Sequence, residues 1–234
     1  MKGITKPSVS VVIPVLNEAN QVEQILKKIE THQTGLVREI IISDGGSTDK
    51  TVGIASSIGA KVIHSEKGRA RQMNKGAKTA TGEIIYFLHA DSIPPDEFDR
   101  EISKAVESGA DFGCFRLQFD WNHPLLKFYS WFTRFRFLGV RFGDQSLFVK
   151  KTIFEKAGGF DEQLIVMEDQ EIYKRLHKHG KFYLSYRSII TSSRKYRKVG
   201  VIKLQLIFTG IWLGYYFGAD QNTLVGLYKK WISP

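Results

Sequence analysis

The chain has 234 residues, 42% hydrophobic and 25% charged, which allows one substantial core and excludes wholesale disorder; no repeat or low-complexity tract points to a solenoid or linker. Its net charge of +10 is uneven, since residues 1–114 carry 14 Lys/Arg against 15 Asp/Glu and residues 115–234 carry 20 against 9. A basic half attracts nucleic acid, anionic lipid or phosphorylated substrates, and nucleic acid is set aside because no recognition motif accompanies the cations.

In chain order, Met1 to Pro7 lacks the apolar stretch of a signal peptide. Ser8 to Val15 is a β-branched run that reads as a buried strand. Ala19 to Glu30 spaces Val22, Ile25, Leu26 and Ile29 as one helix face. Glu39 to Ser43 is a second strand, stopped by Asp44-Gly45-Gly46-Ser47, and Thr48 or Asp49 is placed to cap a short helix to about Ile58. Lys61–His64 is a third strand, Arg69–Lys78 a helix and Glu83–Leu88 a fourth strand. This alternation predicts an α/β chain with a mostly parallel sheet flanked by helices, whose ligands bind beyond the C-terminal strand ends. Past Pro94 and Pro95 come an amphipathic helix to about Ser108 and a strand over 112–119. Within that strand the single cysteine, Cys114, reads as a small buried hydrophobe.

The aromatic segment Pro124 to Phe142 reads as a helix, with Lys127, Arg134 and Arg141 as a basic stripe beside Phe128, Phe132 and Phe135. A helix over Glu168–His179, a strand over Arg187–Thr191 and an apolar helix over Val201–Gly218 complete the pattern. The expected organisation is one domain over 1–198, divided near residue 92, with a helical tail over 199–234. Arg194, Lys195, Arg197 and Lys198 precede the tail's apolar stretch Leu204 to Ala219, which is too short for a membrane span. Two readings stay open, a tail packed on the domain or an interfacial helix at an anionic membrane.

Three acidic points follow strands or loops. Asp44 in Asp-Gly-Gly-Ser is an ordinary turn residue by itself; Asp91 is either an N-cap or a carboxylate at the ligand crevice; Glu168-Asp169 are either first-turn acids matching a helix dipole or site residues. Taken together with Val11-Val12-Ile13-Pro14-Val15-Leu16-Asn17-Glu18, Asn74-Lys75-Gly76, Leu88-His89-Ala90-Asp91 and Gly158-Gly159-Phe160, these motifs resemble the family 2 glycosyltransferases of GT-A fold over roughly residues 8 to 185. The resemblance implies a nucleotide-sugar-binding half over 8–92 and an acceptor half over 93–198.

It further implies an inverting transfer from a nucleoside-diphosphate sugar, UDP-sugar favoured, to a hydroxyl of a sugar or lipid-linked acceptor. Pro14, Asn17, Glu18, Asp44 and Gly45 would hold the base and ribose. Arg71 and Asn74, with Arg69 and Lys75 nearby, would lie at the diphosphate. Members often carry Arg before the Asn matched by Asn74, where this chain has Met73. Asp91 matches the last carboxylate of the Asp-x-Asp motif that holds Mg²⁺ or Mn²⁺, and His89 replaces its first; His89, Ala90 and Asp91 are donor-side residues, with Asp91 and His89 as candidate metal ligands. Asp169 would be the general base, oriented or made more basic by Glu168. Asp144, Gln145 and Gly159 would contact the acceptor. The implied setting is cytoplasmic, at the inner face of a membrane if the tail is interfacial. Competing readings are a nucleotidyltransferase, whose Gly-rich first loop is replaced here by Asn17-Glu18-Ala19-Asn20, and a non-catalytic nucleotide-binding or membrane-adaptor module.

Overall fold

The computed structural model describes residues 6–232, so the reading of Met1 to Thr5 lies outside the described residues. The first half alternates as its hydrophobic periods require: β1 (Val9–Val15), α1 (Ala19–His32), β2 (Val37–Asp44), α2 (Thr51–Ser57), β3 (Lys61–His64), α3 (Arg69–Thr79) and β4 (Ile84–Phe87). The helix faces read from spacing are buried: Val22, Ile25, Leu26 and Ile29 of α1 are at most 2% exposed. Asp49 anchors the start of α2 by accepting the Thr51 N–H at 2.9 Å.

β1 pairs in parallel with β2 and β4, and β2 with β3. The second half contributes β5 (Ser92–Ile93), α4 (Phe98–Glu107), β6 (Phe112–Phe119), α5 (Pro124–Trp131), β7 (Leu147–Lys150), α6 (Lys151–Lys156), α7 (Glu168–Leu176) and β8 (Phe182–Thr191). The eight strands lie in the order β3-β2-β1-β4-β7-β6-β8-β5; β7 runs antiparallel to β4 and β6, β5 antiparallel to β8, and β6 parallel to β8. Four of the seven pairings are therefore parallel. Two apolar layers cover the sheet, one under α1 and α4 with Phe98, Ile102 and Phe115, the other under α3 and α7 with Met73, Phe87 and Tyr173.

The aromatic segment departs from its predicted single helix. α5 stops at Trp131, and the chain continues through 3-10 turns at Phe132–Arg134, Leu138–Val140 and Gly143–Gln145. Arg141 is fully buried rather than on an exposed stripe. Its guanidinium donates to the carbonyls of Thr133 and Phe135 and lies 3.3 Å from the Cys114 sulfur. Turns that leave the helix lose their backbone partners, and this buried arginine supplies donors for the carbonyls so released.

The tail forms α8 (Arg194–Val199), α9 (Val201–Tyr216) and α10 (Gln221–Ile232). It packs on the domain: Tyr196, Val201 and Leu204 join Leu126 in a third apolar cluster. Among the described residues, no helix is long and apolar enough to cross a membrane.

Candidate active site

Parallel pairing brings the C-terminal ends of β1, β2 and β4 to one edge, and the loops there carry Glu18, Asp44 and Asp91. Asp44 is 2% exposed, and its carboxylate accepts the N–H groups of Gly46 and Ser47 at 3.1 Å. These bonds build the turn; His64 Nδ1 lies 3.5 Å from Oδ2, and Oδ1, engaged by Ser47, keeps one lone pair. Gly45 sits against Gln72, whose amide donates to the carbonyls of Val15 and Ser43; a Cβ at Gly45 would come within 2.9 Å of that side chain. Past Pro14, Asn17 adopts φ 56° and its carboxamide accepts the Thr48 N–H at 2.8 Å, so the first and second loops are laced together. The Glu18 carboxyl is pushed up by burial and by Asp91, against the opposing charges of Arg194 and Lys195. Arg194 approaches Glu18 at 3.7 Å.

A second group forms around the start of α7. Met167 takes the left-handed conformation, φ 69°, which turns the chain sharply into Glu168 and Asp169. Glu168 is buried and pairs with Arg69 at 3.4 Å. Asp169 accepts the Gly143 N–H through one oxygen and the Gln170 N–H at 2.8 Å through the other. Burial raises both carboxyls; Arg69 opposes this in each, and Asp144 adds to the rise at Asp169. His89 donates through Nδ1 to Asp144 at 3.2 Å, and the Asp144 carboxyl, pushed up by desolvation, is held down at about 2 by His89, Arg69 and Lys195. A cavity of about 20 Å³, room for roughly one water, opens beside Arg69, His89, Gly143, Glu168 and Asp169.

Several expected site residues have structural partners instead. Arg71 pairs with exposed Glu66, because residues two apart on a helix point to different sides and it is Arg69 that faces Glu168. Asn74 spends its carboxamide on loop 158–162, donating to the Phe160 carbonyl and Glu162 and accepting the Phe160 N–H. Gly159 is required by that same junction, since a Cβ there would meet the Asn74 oxygen at 2.8 Å. Gln145 is fully buried, accepting the Phe142 N–H and donating to the Phe115 carbonyl, which leaves Asp144 as the member of that pair near the carboxylates. Ala90 is 8% exposed and packs in the core beneath the crevice.

Arg194 and Lys195 were read from sequence as the flank of a possible membrane helix, yet they act electrostatically on Glu18 and Asp144. The signal available was their position directly after β8. Among the described residues, no three His, Cys, Asp or Glu side chains gather as a ready-made metal cage.

A sequence model described as glycosyl transferase family 2 matches residues 10–154. Glucosyl-3-phosphoglycerate synthase of Mycolicibacterium smegmatis is 38% identical over 98 residues, 38% of this chain and 32% of that protein. S. aureus TarS in complex with UDP superposes with a TM-score of 0.66 at 17% identity, covering 79% of this chain and 60% of that one. The mannosyltransferase PcManGT from Pyrobaculum calidifontis, in complex with GDP-Man and Mn2+, gives 0.65 at 18% identity over 80% and 57%. The chain thus spans about a third of the curated synthase and under two thirds of either solved chain. Those likenesses identify the fold as GT-A-like. With the sequence model matching more than half of the chain, over strands whose C-terminal ends carry laced loops and carboxylates, the chain belongs to glycosyl transferase family 2.

Proposed function

We infer that the chain is an inverting glycosyltransferase that moves a hexosyl group from a nucleoside-diphosphate sugar, UDP-sugar favoured, to an acceptor hydroxyl, with Asp169 as general base. The observation that carries this reading is the setting of Asp169, raised from its ordinary value by burial and held by two backbone N–H groups beside a cavity with room for one hydroxyl. Inversion needs a base opposite the departing diphosphate, to take the acceptor proton as its oxygen attacks. Each Asp169 oxygen keeps a lone pair for that hydroxyl after its backbone bond. Burial makes the carboxylate a stronger base, and Arg69 balances the adjoining Glu168 so that two negative charges can stand together.

On the donor side, the free lone pair of Asp44 suits an imide N–H, which favours uracil, and Glu18 suits ribose hydroxyls. TarS was solved with UDP and PcManGT with GDP-Man, so the uracil preference rests on Asp44 and not on these neighbours. Arg69, Arg194 and Lys195 are exposed cations near these carboxylates, able to meet charge as it builds on the leaving diphosphate. Asp91 fits a divalent cation: one carboxylate completed by diphosphate oxygens and water is a donor set that Mg²⁺ or Mn²⁺ accepts without a protein cage. Such an ion would neutralise the diphosphate as the glycosidic bond breaks. His89, committed to Asp144, is assigned to hydrogen bonding rather than to the metal.

Peripheral attachment to the cytoplasmic face of a membrane, near a lipid-linked acceptor, draws support from α9, where exposed Ile202, Leu206, Leu213 and Phe217 share one helix face. Co-sedimentation with anionic vesicles that weakens at high salt is the expected result; no binding at low salt ends that part of the reading.

The central test is nucleotide release over UDP- and GDP-sugars with Mg²⁺ and Mn²⁺. Asp169→Asn should still bind donor and lose transfer by about 10²–10⁴-fold. Unchanged transfer would remove Asp169 from the chemistry.

A further inference from the structure

A cavity of about 830 Å³ lies between the C-terminal halves of β6 and β8 and the helix α5, and none of Asp44, Asp91, Asp144 or Asp169 lines it. Because β7 is antiparallel to both β4 and β6, β6 runs parallel to β4, and the cavity lies toward the same end of the sheet as Asp91. Asp120 on its wall accepts hydrogen bonds from the Ser193 N–H at 2.8 Å and from the Ser193 hydroxyl, while Ser192 donates its N–H to the Asp91 carbonyl at 3.1 Å. Two consecutive serines therefore join this groove to the donor edge.

The wall is cationic and aromatic. Lys127, Trp131 and Arg134 come from one face of α5 and the turn that continues it, and Arg116, Trp121 and Asp120 from β6 and its exit. Among the described residues, none of Arg116, Lys127 and Arg134 forms an ion pair with a carboxylate. Asp120, the one carboxylate on the wall, is already engaged by Ser193. The Arg116 Nε is buried without a hydrogen-bond partner, and its guanidinium lies 4.8 Å from the Tyr186 ring. Buried polar groups are ordinarily satisfied, so a donor left over beside a groove points to an acceptor from outside the chain. Three cations without counterions repel one another, and a ligand bearing several negative charges relieves that repulsion. Guanidinium forks match the paired oxygens of phosphate and carboxylate. Arg197 and Arg134 lie 4.6 and 4.9 Å from the Trp121 and Trp131 rings, which sets cations against flat apolar surface, a combination suited to a ring that carries hydroxyls and an anionic group. The volume falls within the range of about 300–1,000 Å³ expected of ligand sites.

We propose that this groove binds an anionic saccharide, one bearing phosphate or carboxylate groups, and holds the part of the acceptor beyond the hydroxyl that reacts at Asp169. The proposal rests on the transferase reading for its link to catalysis, while the groove's affinity for such a ligand stands apart from it.

The test is calorimetric titration of the full chain with a sulfated heparin tetrasaccharide as polyanionic probe and maltotetraose as its neutral counterpart. Arg134→Ala and Lys127→Ala, both at exposed positions, and Arg116→Ala should each weaken the sulfated probe by about tenfold or more, as loss of a charge-assisted contact does. The control pair Lys78→Ala and Lys104→Ala, on α3 and α4, should leave it within about twofold. UDP affinity should stay unchanged in all, which separates failure of the groove from failure of the donor site. Equal losses in the control pair, equal binding of the neutral probe, or groove variants that bind like the parent each overturn the proposal. So does a loss of binding to phosphatidylglycerol vesicles, with the saccharide still bound, in the groove variants; that outcome makes the patch a lipid-headgroup site.

Discussion

At the scale of single residues, the pair His89 and Asp144 offers a direct check. The Asp144 carboxyl sits at about 2 because His89, Arg69 and Lys195 outweigh the effect of burial. Its folded value is thus below its ordinary 3.8, so it contributes stability that is complete above about pH 4 and lost as pH falls toward 2. Carboxyl chemical shifts followed by NMR should show this titration, and His89→Ala should move it back up toward the ordinary range. A second effect has the opposite sign. Asp144 raises the carboxyl of Asp169, so Asp144→Asn should shift the acid limb of the pH–rate profile to lower pH. An unmoved limb would mean that the limb does not report Asp169.

At this scale the residue types were legible in the chain, and their contacts were not. Asp169, Glu168, Asp44 and Asp91 stand where strand ends and a helix start put carboxylates. Asn74 and Gln145 look equally polar in sequence, but their amides are consumed by Phe160, Glu162, Phe142 and Phe115, all distant in the chain or across a turn. Whether an amide is free to meet a ligand depends on which backbone groups the fold brings beside it, and periodicity carries no record of that.

At the scale of elements, α3 and the tail make separate predictions. Gly76 lets α3 lie against β1, since a Cβ there would fall 2.3 Å from a Val12 methyl. Gly76→Ala should therefore cost about 1–3 kcal/mol by overpacking, despite the higher helix propensity of alanine, and a denaturant midpoint measures it. The tail reaches α7 and the loop before it through several side chains, among them Tyr215 and Tyr216, whose rings lie under Lys174 at 5.4 and 4.9 Å. Gln221 accepts the N–H groups of Ile165 and Val166 and donates to the Val166 carbonyl, bracing the loop that turns at Met167. The Tyr216 hydroxyl donates to Gln170 at 2.9 Å, next to Asp169. Gln221→Ala should lower kcat severalfold with little change in donor KM, because it loosens the approach to Asp169 and leaves the nucleotide loops alone. A rise in KM with kcat unchanged would contradict that role.

The helices and strands of the first half could be read almost to the residue, because their apolar periods are set by local geometry. β7 and α6 escaped that reading: β7 is four residues between a turn and a helix, and its strand character depends on being sandwiched between β4 and β6. The single helix expected over 124–142 failed for a related reason. Its aromatic spacing is helical, but Thr133 uses its hydroxyl to accept the Leu117 N–H and Arg141 turns inward to the Thr133 and Phe135 carbonyls. Tertiary hydrogen bonds outbid the local period.

At the scale of the whole molecule, the tail is part of the folded unit. Full burial of Leu204, Leu224, Ile211 and Val201 is worth about 1.5–3 kcal/mol for each side chain. Truncation after Lys198 should therefore lower stability by several kcal/mol, seen as a reduced melting temperature. A truncated chain that melts like the parent would show the tail to be an appendage.

The order of apolar and polar residues along the chain was enough to establish an alternating α/β sheet and its helix faces, because backbone hydrogen bonding and side-chain period act over a few residues at a time; the family was carried instead by the resemblance of its motifs and by the sequence model over residues 10–154. The company each carboxylate keeps was settled by long-range packing. Arg69 meets Glu168 across 99 positions, Gly143 holds Asp169 across 26, and Lys195 returns from the tail to act on Glu18. Charge acts through space, so these pairings exist only once the sheet has closed and the tail has folded back upon it.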